Sequence, residues 1–310
     1  MFSSRHFRIG TRVSPLALKQ AEWVAHQLTV CGARVELVPI TTEGDRVKNE
    51  TIGSFGGPGV FTKELQRALV DGRIDVAVHS LKDLPTDPVD GLILAAVPPR
   101  EEVADVLISR DRLTLDGLRQ GAAVGTGSLR RQAQLLHVRP DLMVKGIRGN
   151  VDTRLRKVAE GDFDAIVLAA AGLRRLGRAS EITQLLPYEI MLPAIGQGAL
   201  GIEARADDSE TFSLLARLDD AATHAAVVAE RALLAQLRGG CLAPVAGWCR
   251  ESTAGEIVLT GAVLSPDGRE KLVHQESATP ASAEALGRRV ADALLAAGAA
   301  ALIDQSRKTG

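Results

Sequence analysis

A chain of 310 residues, 45% hydrophobic and 24% charged, can bury a substantial core and is long enough for two or three domains. A net charge of -1 and only 3% aromatic residues exclude a general nucleic-acid binder, which needs a basic excess and stacking rings. Three cysteines, Cys31, Cys241 and Cys249, make neither a disulfide framework nor a CxxC metal pattern, MFSSRHFRIG lacks a signal-peptide core, and the alanine-rich run from Ala293 to Ile303 is too short to span a bilayer, so a cytoplasmic protein without a metal site is expected.

In chain order, FRIGT reads as a strand, and Ser14-Pro15 supplies an N-cap and first-turn proline for the amphipathic run LALKQAEWVAHQL. VELVPI is a second strand. Beyond the glycine-rich stretch from Gly53 to Gly59, Thr62 caps the helix KELQRALVDG, Gly72 ends it, and IDVAVHS is a third strand. The pattern then returns: AAVGT, the helix SLRRQAQLLHV, the strand DLMVKGIR, the helix TRLRKVAEG closed by Gly161, and the strand DAIVLAAAG. Thr11 matches Thr126, Gly44-Asp45 matches Gly149-Asn150, and Gly72-x-x-Asp75 matches Gly161-x-x-Asp164. These are two similarly built α/β halves.

The remainder has a different rhythm. MLPAIGQGALGIEAR is expected to contain a strand crossing back, and HAAVVAERALLAQLRGG is a helix stopping at Gly239-Gly240. VAGWC, EIVLTGAVLS and EKLVHQES read as antiparallel strands, with Asp267-Gly268 turning one hairpin, before a final alanine-rich helix. The fold class is therefore two similar doubly wound α/β domains around a cleft, like a solute-binding protein, plus a smaller C-terminal α+β domain with a three-stranded antiparallel sheet. The boundaries are 1–98 with 199–216, 99–198, and 217–310.

Open α/β sheets bind ligands beyond the carboxyl ends of their strands. Those ends carry Arg12, Ser14, Asp45 and HSLKD (His79 to Asp83) in the first half, and Thr126, Ser128, Arg130, Arg131, Arg148, Asn150, Arg174 and Arg175 in the second. Guanidinium forks at a helix N-terminus favour carboxylates or phosphates, so a polyanionic ligand is expected. Cys241, in GGCLAP beyond a helix end, is either a small buried hydrophobe or a reactive thiol whose pKa nearby cations would lower. Asp83 is a cap, a surface carboxylate or a general acid/base, and His79 is expected to be a packed strand residue. GTGSLR lacks the third glycine of a dinucleotide loop, and no Walker lysine motif is present.

The stretches TRVSPLALKQA, GVFTKELQ, DVAVHSLKDLP, GTGSLRRQAQL, IRGNVDTRL, AIVLAAAGLRRLG, LPAIGQGALGIE and RGGCLAPVAG together resemble the porphobilinogen deaminase (hydroxymethylbilane synthase) family, from Thr11 to Gly247. The resemblance implies head-to-tail condensation of four porphobilinogen molecules with release of ammonia, on a dipyrromethane cofactor in thioether linkage to the cysteine of GGC, here Cys241. It implies that Asp83 is catalytic, assisting loss of the amino group and stabilising positive charge on the pyrrole nitrogen. Lys82, Ser80, Thr126, Ser128, Arg130 and Arg131 would bind the cofactor, and Arg12, Ser14, Gln20, Arg148, Arg154, Arg175 and Gln197 the substrate and growing chain. The family is generally monomeric.

The chain departs from the family pattern at Pro58 and Ser54, where basic loop residues are common, and at Gly127, where serine is common; Lys48 is a candidate replacement for the lost loop charge. Two other classes fit part of the pattern. A two-domain anion-binding or ligand-sensing module leaves the GGC motif unexplained, and a thiol-dependent transferase would use Cys241 as a transient nucleophile with no permanent cofactor.

Overall fold

The computed structural model describes residues 5–42, 59, 62–239 and 243–309. Asp45, Lys48, Ser54, Pro58 and Cys241 lie outside the described residues. The chain divides into two compact units, Met1–Glu101 with Ala199–His224, and Glu102–Gly198 with Ala225–Gly310.

The first unit is built on β1 (His6–Arg12), α1 (Pro15–Val30), β2 (Arg34–Ile40), α2 (Lys63–Val70), β3 (Val76–Ser80) and β4 (Leu92–Ala96), and is completed by β10 (Leu200–Arg205) and α6 (Ser209–Leu215). Its sheet order is β2-β1-β3-β10-β4, with β1 parallel to β2 and β3, and β10 antiparallel to both its neighbours. The crossing-back strand expected in LGIEAR is thus β10. Pro15 begins α1 because its missing N–H falls among the donors a helix start leaves unused, and Ser14 Oγ accepts from Ala17 N at 3.4 Å. One core packs Phe7, Ile9, Val76, Val78 and Ile202 against Ala21, Val24 and Leu28 of α1; the other sheet face packs Ala77 against Leu65, Ala68 and Leu69 of α2. Thr62 occupies the cap position of α2 but makes no capping bond, its hydroxyl donating to Gly59 O at 3.4 Å.

The second unit opens with β5 (Asp105–Ser109), followed by β6 (Ala123–Gly125), α3 (Leu129–Val138), β7 (Met143–Lys145), α4 (Val151–Ala159), β8 (Ala165–Ala169), α5 (Ala170–Arg175) and β9 (Gln184–Leu185). Its sheet order, β7-β6-β8-β5-β9, repeats the first: two parallel pairs about β6, then β5 antiparallel to β8 and β9. The correspondence reaches single atoms. Asp75 accepts from the backbone N of Arg8 at 2.9 Å, and Asp164 from that of Ala123 at 2.7 Å, the two aspartates standing immediately before the matching strands β3 and β8. Gly72 and Gly161 both take positive φ, 66° and 86°, where the preceding helix closes.

Two expected strands are shorter than the sequence reading. DLMVKGIR pairs only over Met143–Lys145, and in DAIVLAAAG the alanines from Ala170 onward start α5, in keeping with alanine's helix preference.

The rest of the second unit follows α7 (Ala221–Leu237), with β11 (Val245–Glu251), β12 (Ile257–Leu264) and β13 (Lys271–Ala278) in one antiparallel sheet. The final helix is two, α8 (Ala283–Ala296) and α9 (Ala299–Thr309), split where Gly298 takes φ 104°. Leu233, Leu259, Val263, Val290 and Leu294 lie in its core, with Cys249 buried among them. No helix among the described residues is long and apolar enough to cross a membrane.

Candidate active site

In the first unit the residues singled out at the strand ends converge. Arg12, Ser14, Ser80 and Asp83 line one pocket, joined by Gln20 of α1, with Thr62 and His79 at its wall. The arrangement follows from strand alternation. Ser80 and Val78 face α1, so Ser80 Oγ meets the buried Gln20, which donates to it at 2.8 Å. His79 and Ala77 face α2 instead. The chain then turns through a single 3-10 turn, Leu81–Asp83, held by Leu81 N donating to Ala199 O at 3.1 Å. Gly201 leaves room for the buried side chain of Leu81 beneath that turn: a Cβ there would lie 2.5 Å from Leu81 Cδ1. Asp83 and Lys82 are half-buried, and Lys82 stands beside the pocket instead of lining it.

In the second unit, Arg130, Arg131 and Gln197 converge on a residue that the sequence reading passed over, Asp105. Its carboxylate is fully buried and accepts from Arg130 Nη2 at 2.7 Å, Arg131 Nη2 at 2.7 Å, Arg131 Nε at 3.0 Å and Gln197 Nε2 at 2.9 Å. Arg130 also donates to Leu192 O at 2.6 Å, and Arg131 to Val167 O at 3.1 Å. Both arginines are themselves buried, and Arg130 Nε has no hydrogen-bond partner among the described residues. Burial acts to raise the Asp105 pKa, but the charges of Arg130 and Arg131 outweigh it and hold the group at about 2. Burial lowers the Arg130 pKa. Arg154 falls to about 10 through burial and, next, the repulsion of Arg131.

The remaining predicted groups are spread around this cluster. Ser128 caps α3, accepting from Arg131 N at 3.5 Å, and the buried Thr126 accepts from Ser128 N at 3.2 Å. Arg154 Nε donates to Gly149 O at 2.8 Å, and Arg175 Nη2 to Gly198 O at 2.7 Å. Arg148 is half-buried in the irregular segment between β7 and α4. A Cβ at Gly127 would lie 3.1 Å from Ile147 O, so a side chain there needs a small backbone shift.

Asp105 and the buried Glu203 are two acidic residues the sequence reading missed. Each is a lone carboxylate in an otherwise apolar run, ADVLIS and LGIEA, and that isolation is the signal that could have marked them. Among the described residues no group of three or more histidine, cysteine, aspartate or glutamate side chains could hold a metal ion.

Residues 7–213 match the family model "Porphobilinogen deaminase, dipyromethane cofactor binding domain", and residues 224–296 match the porphobilinogen deaminase C-terminal domain. Porphobilinogen deaminase of Brevibacillus brevis is 52% identical over 94% of this chain and 95% of its own; that of Syntrophotalea carbinolica is 52% identical over 96% and 95%; that of Shouchella clausii is 50% identical over 98% of both. Among solved structures, the methionine binding protein MetQ is 17% identical, with a TM-score of 0.45, over 69% of this chain and 89% of that one. With family models spanning most of the chain and half-identical relatives along nearly all of it, the chain belongs to the porphobilinogen deaminase family.

Proposed function

We propose residue roles for the family's reaction, in which four porphobilinogen molecules are joined head to tail into hydroxymethylbilane with loss of ammonia at each addition. The observation that carries the assignment is the cation excess of the second unit: two buried guanidiniums share one carboxylate, Asp105, and a third, the half-buried Arg154, is disfavoured first by desolvation and then by the charge of Arg131. Such a group gains from further carboxylates, and every pyrrole of the substrate and of the dipyrromethane brings an acetate and a propionate. The orphaned Arg130 Nε fits the same need.

When bound, the dipyrromethane supplies the pyrrole to which substrate is joined. Arg130, Arg131, Thr126 and Ser128, with Ser80 and Lys82, hold its carboxylates, and Cys241 is its covalent anchor. Arg12, Ser14, Gln20, Arg148, Arg154, Arg175 and Gln197 bind substrate and the growing chain. Asp83 faces the pocket beside Arg12 and Ser80. There it assists departure of the amino group and stabilises the positive charge that develops on the pyrrole nitrogen.

The three domains are 1–98 with 199–216, 99–198, and 217–310, a reading supported by the two like-ordered sheets and the separate antiparallel one. The near-neutral charge supports a small-molecule partner over nucleic acid, the cysteine usage supports a reducing, cytoplasmic setting, and the family resemblance supports a monomer without membrane partners.

Intact mass and turnover test the assignment together. The purified protein is expected to carry an adduct of two linked pyrroles that Cys241→Ala abolishes, and Asp83→Asn to retain the adduct while losing about 100-fold or more in kcat. An unmodified chain overturns Cys241 as anchor, and wild-type turnover of Asp83→Asn removes Asp83 from catalysis.

A further inference from the structure

Behind the wall of the Asp83 pocket lies a buried acid–imidazole pair to which the roles above give no task. The side chains of His79 on β3 and Glu203 on β10 are 2% and 9% exposed, and His79 Nε2 stands 2.9 Å from Glu203 Oε2. That approach is within ion-pair distance but out of hydrogen-bond alignment. Gln66 Nε2, from α2, donates to both Glu203 oxygens at 3.2 Å.

Burying a carboxylate is costly, and replacing a buried ion pair by apolar residues of similar volume is often neutral or stabilising. The repeat inside this chain indicates whether the sheet needs the pair. In the first sheet Ile9 pairs with Val76, and in the second Val124 pairs with Ala165, which fixes β3 against β8 residue by residue. His79 opposite Gly201 then matches Leu168 opposite Val106, and Glu203 opposite Ala77 matches Ile108 opposite Ile166. Leu168 and Ile108 are apolar and buried. A sheet of the same order therefore closes with hydrocarbon where the first keeps Glu203 and His79. Of the two, His79 also lines the Asp83 pocket, and it is the strand residue just before Ser80 and the turn that presents Asp83.

We propose that Glu203 and His79 are positioning residues for the condensation: Glu203 fixes the imidazole in the pocket wall, and the imidazole sets the placement of the turn and of the substrate presented to Asp83. This rests on Asp83 being the catalytic carboxylate.

The test copies the second sheet into the first, His79→Leu with Glu203→Ile, in the full-length protein carrying its pyrrole adduct, alongside Glu203→Gln and Asp83→Asn. The double variant is expected to keep its Tm within a few degrees and its adduct by intact mass, while kcat falls at least tenfold and KM for porphobilinogen moves less than about twofold. Glu203→Gln should show the same split, and Glu203→Asp should recover part of kcat. Wild-type kcat in the folded double variant overturns the proposal. If the double variant fails to fold, Glu203→Gln decides: a tenfold loss of kcat in a folded, loaded protein supports the proposal, and wild-type kcat assigns the pair to folding alone. Asp83→Asn separates the underlying reading, since wild-type turnover there removes Asp83 from catalysis whatever the pair does.

Discussion

In the first sheet the strand that runs against its neighbours, β10, brings Glu203 to His79; in the second, the matching strand, β5, brings Asp105 to Arg130 and Arg131. Both strands thus insert one carboxylate into a hydrocarbon interior. The positions differ: register aligns Asp105 with Leu200, and Glu203 with Ile108. Neither carboxylate has an acidic counterpart in the other sheet, so neither belongs to what the repeat requires. What the halves share is scaffold, such as the strand-start aspartates Asp75 and Asp164 and the glycines that close the preceding helices. What they do not share lies at their candidate sites, and that is where function is grafted on a common fold. The two insertions also differ in balance. Glu203 faces one imidazole and one amide, whereas Asp105 holds two permanent cations.

The largest expected effect exploits that imbalance. Asp105→Leu, which copies Leu200 of the first sheet, strands two buried guanidiniums and is expected to cost about 3–5 kcal/mol, the scale of breaking a buried ion pair from one side. His79→Leu with Glu203→Ile removes carboxylate and imidazole together, leaves only the neutral Gln66 amide without its acceptor, and is expected to cost less, about 1–2 kcal/mol. Urea unfolding of the two variants and the wild type checks the contrast, and equal losses would break it.

A smaller effect comes from acid. Asp105 and Asp75 both hold folded pKa values of about 2, below the ordinary 3.8, in each case because arginine contacts outweigh the upward pull of burial. Hydrogen bonding from Arg5 depresses the pKa of Asp208 as well, opposed by its partial burial. A depressed carboxylate contributes stability that is complete above its unfolded pKa and is lost as pH falls through its folded one. Stability should therefore be level from pH 7 to about 5 and decline from about pH 4 toward pH 2, by on the order of 2 kcal/mol for the fully buried Asp105. Urea midpoints at pH 6, 4 and 3 check this; Asp75→Asn should flatten part of the slope, and an unchanged slope would show that its arginine contacts add nothing.

Much of this comparison was legible in the chain. The matches of Thr11 with Thr126 and of Gly72-x-x-Asp75 with Gly161-x-x-Asp164 hold in the structure because each reports a local constraint: a buried strand end, a positive φ, a carboxylate capping a neighbouring strand. The convergence of Arg12, Ser14, Ser80 and Asp83 follows from strand-end placement and alternation, whereas Gln20, on α1, was legible only through the family resemblance. The partners of Arg130 and Arg131 were not legible. The placement of both arginines at a helix start predicts an external ligand, but their first carboxylate is supplied 25 residues away by β5, a strand the local pattern does not separate from its neighbours. Glu203 was hidden for the same reason: β3 and β10 are joined by antiparallel pairing across 120 residues of sequence, which no local periodicity encodes.

The smallest expected effect tests the shared scaffold itself. Gly72 and Gly161 hold equivalent left-handed conformations, and a Cβ at Gly72 would meet nothing within 4 Å, while at Gly161 it would meet the flexible end of Arg110 at 3.0 Å. The cost of Gly72→Ala is thus the backbone strain of an L-residue at positive φ, about 1 kcal/mol, and Gly161→Ala should cost the same once the Arg110 side chain swings aside. If the repeat is structural and not merely a resemblance of pattern, the two variants should shift the urea midpoint equally and leave turnover at the wild-type level. A loss at Gly161 well above that at Gly72 would mean that Arg110 is held in place, and that the second sheet ends its helix under a constraint the first does not share.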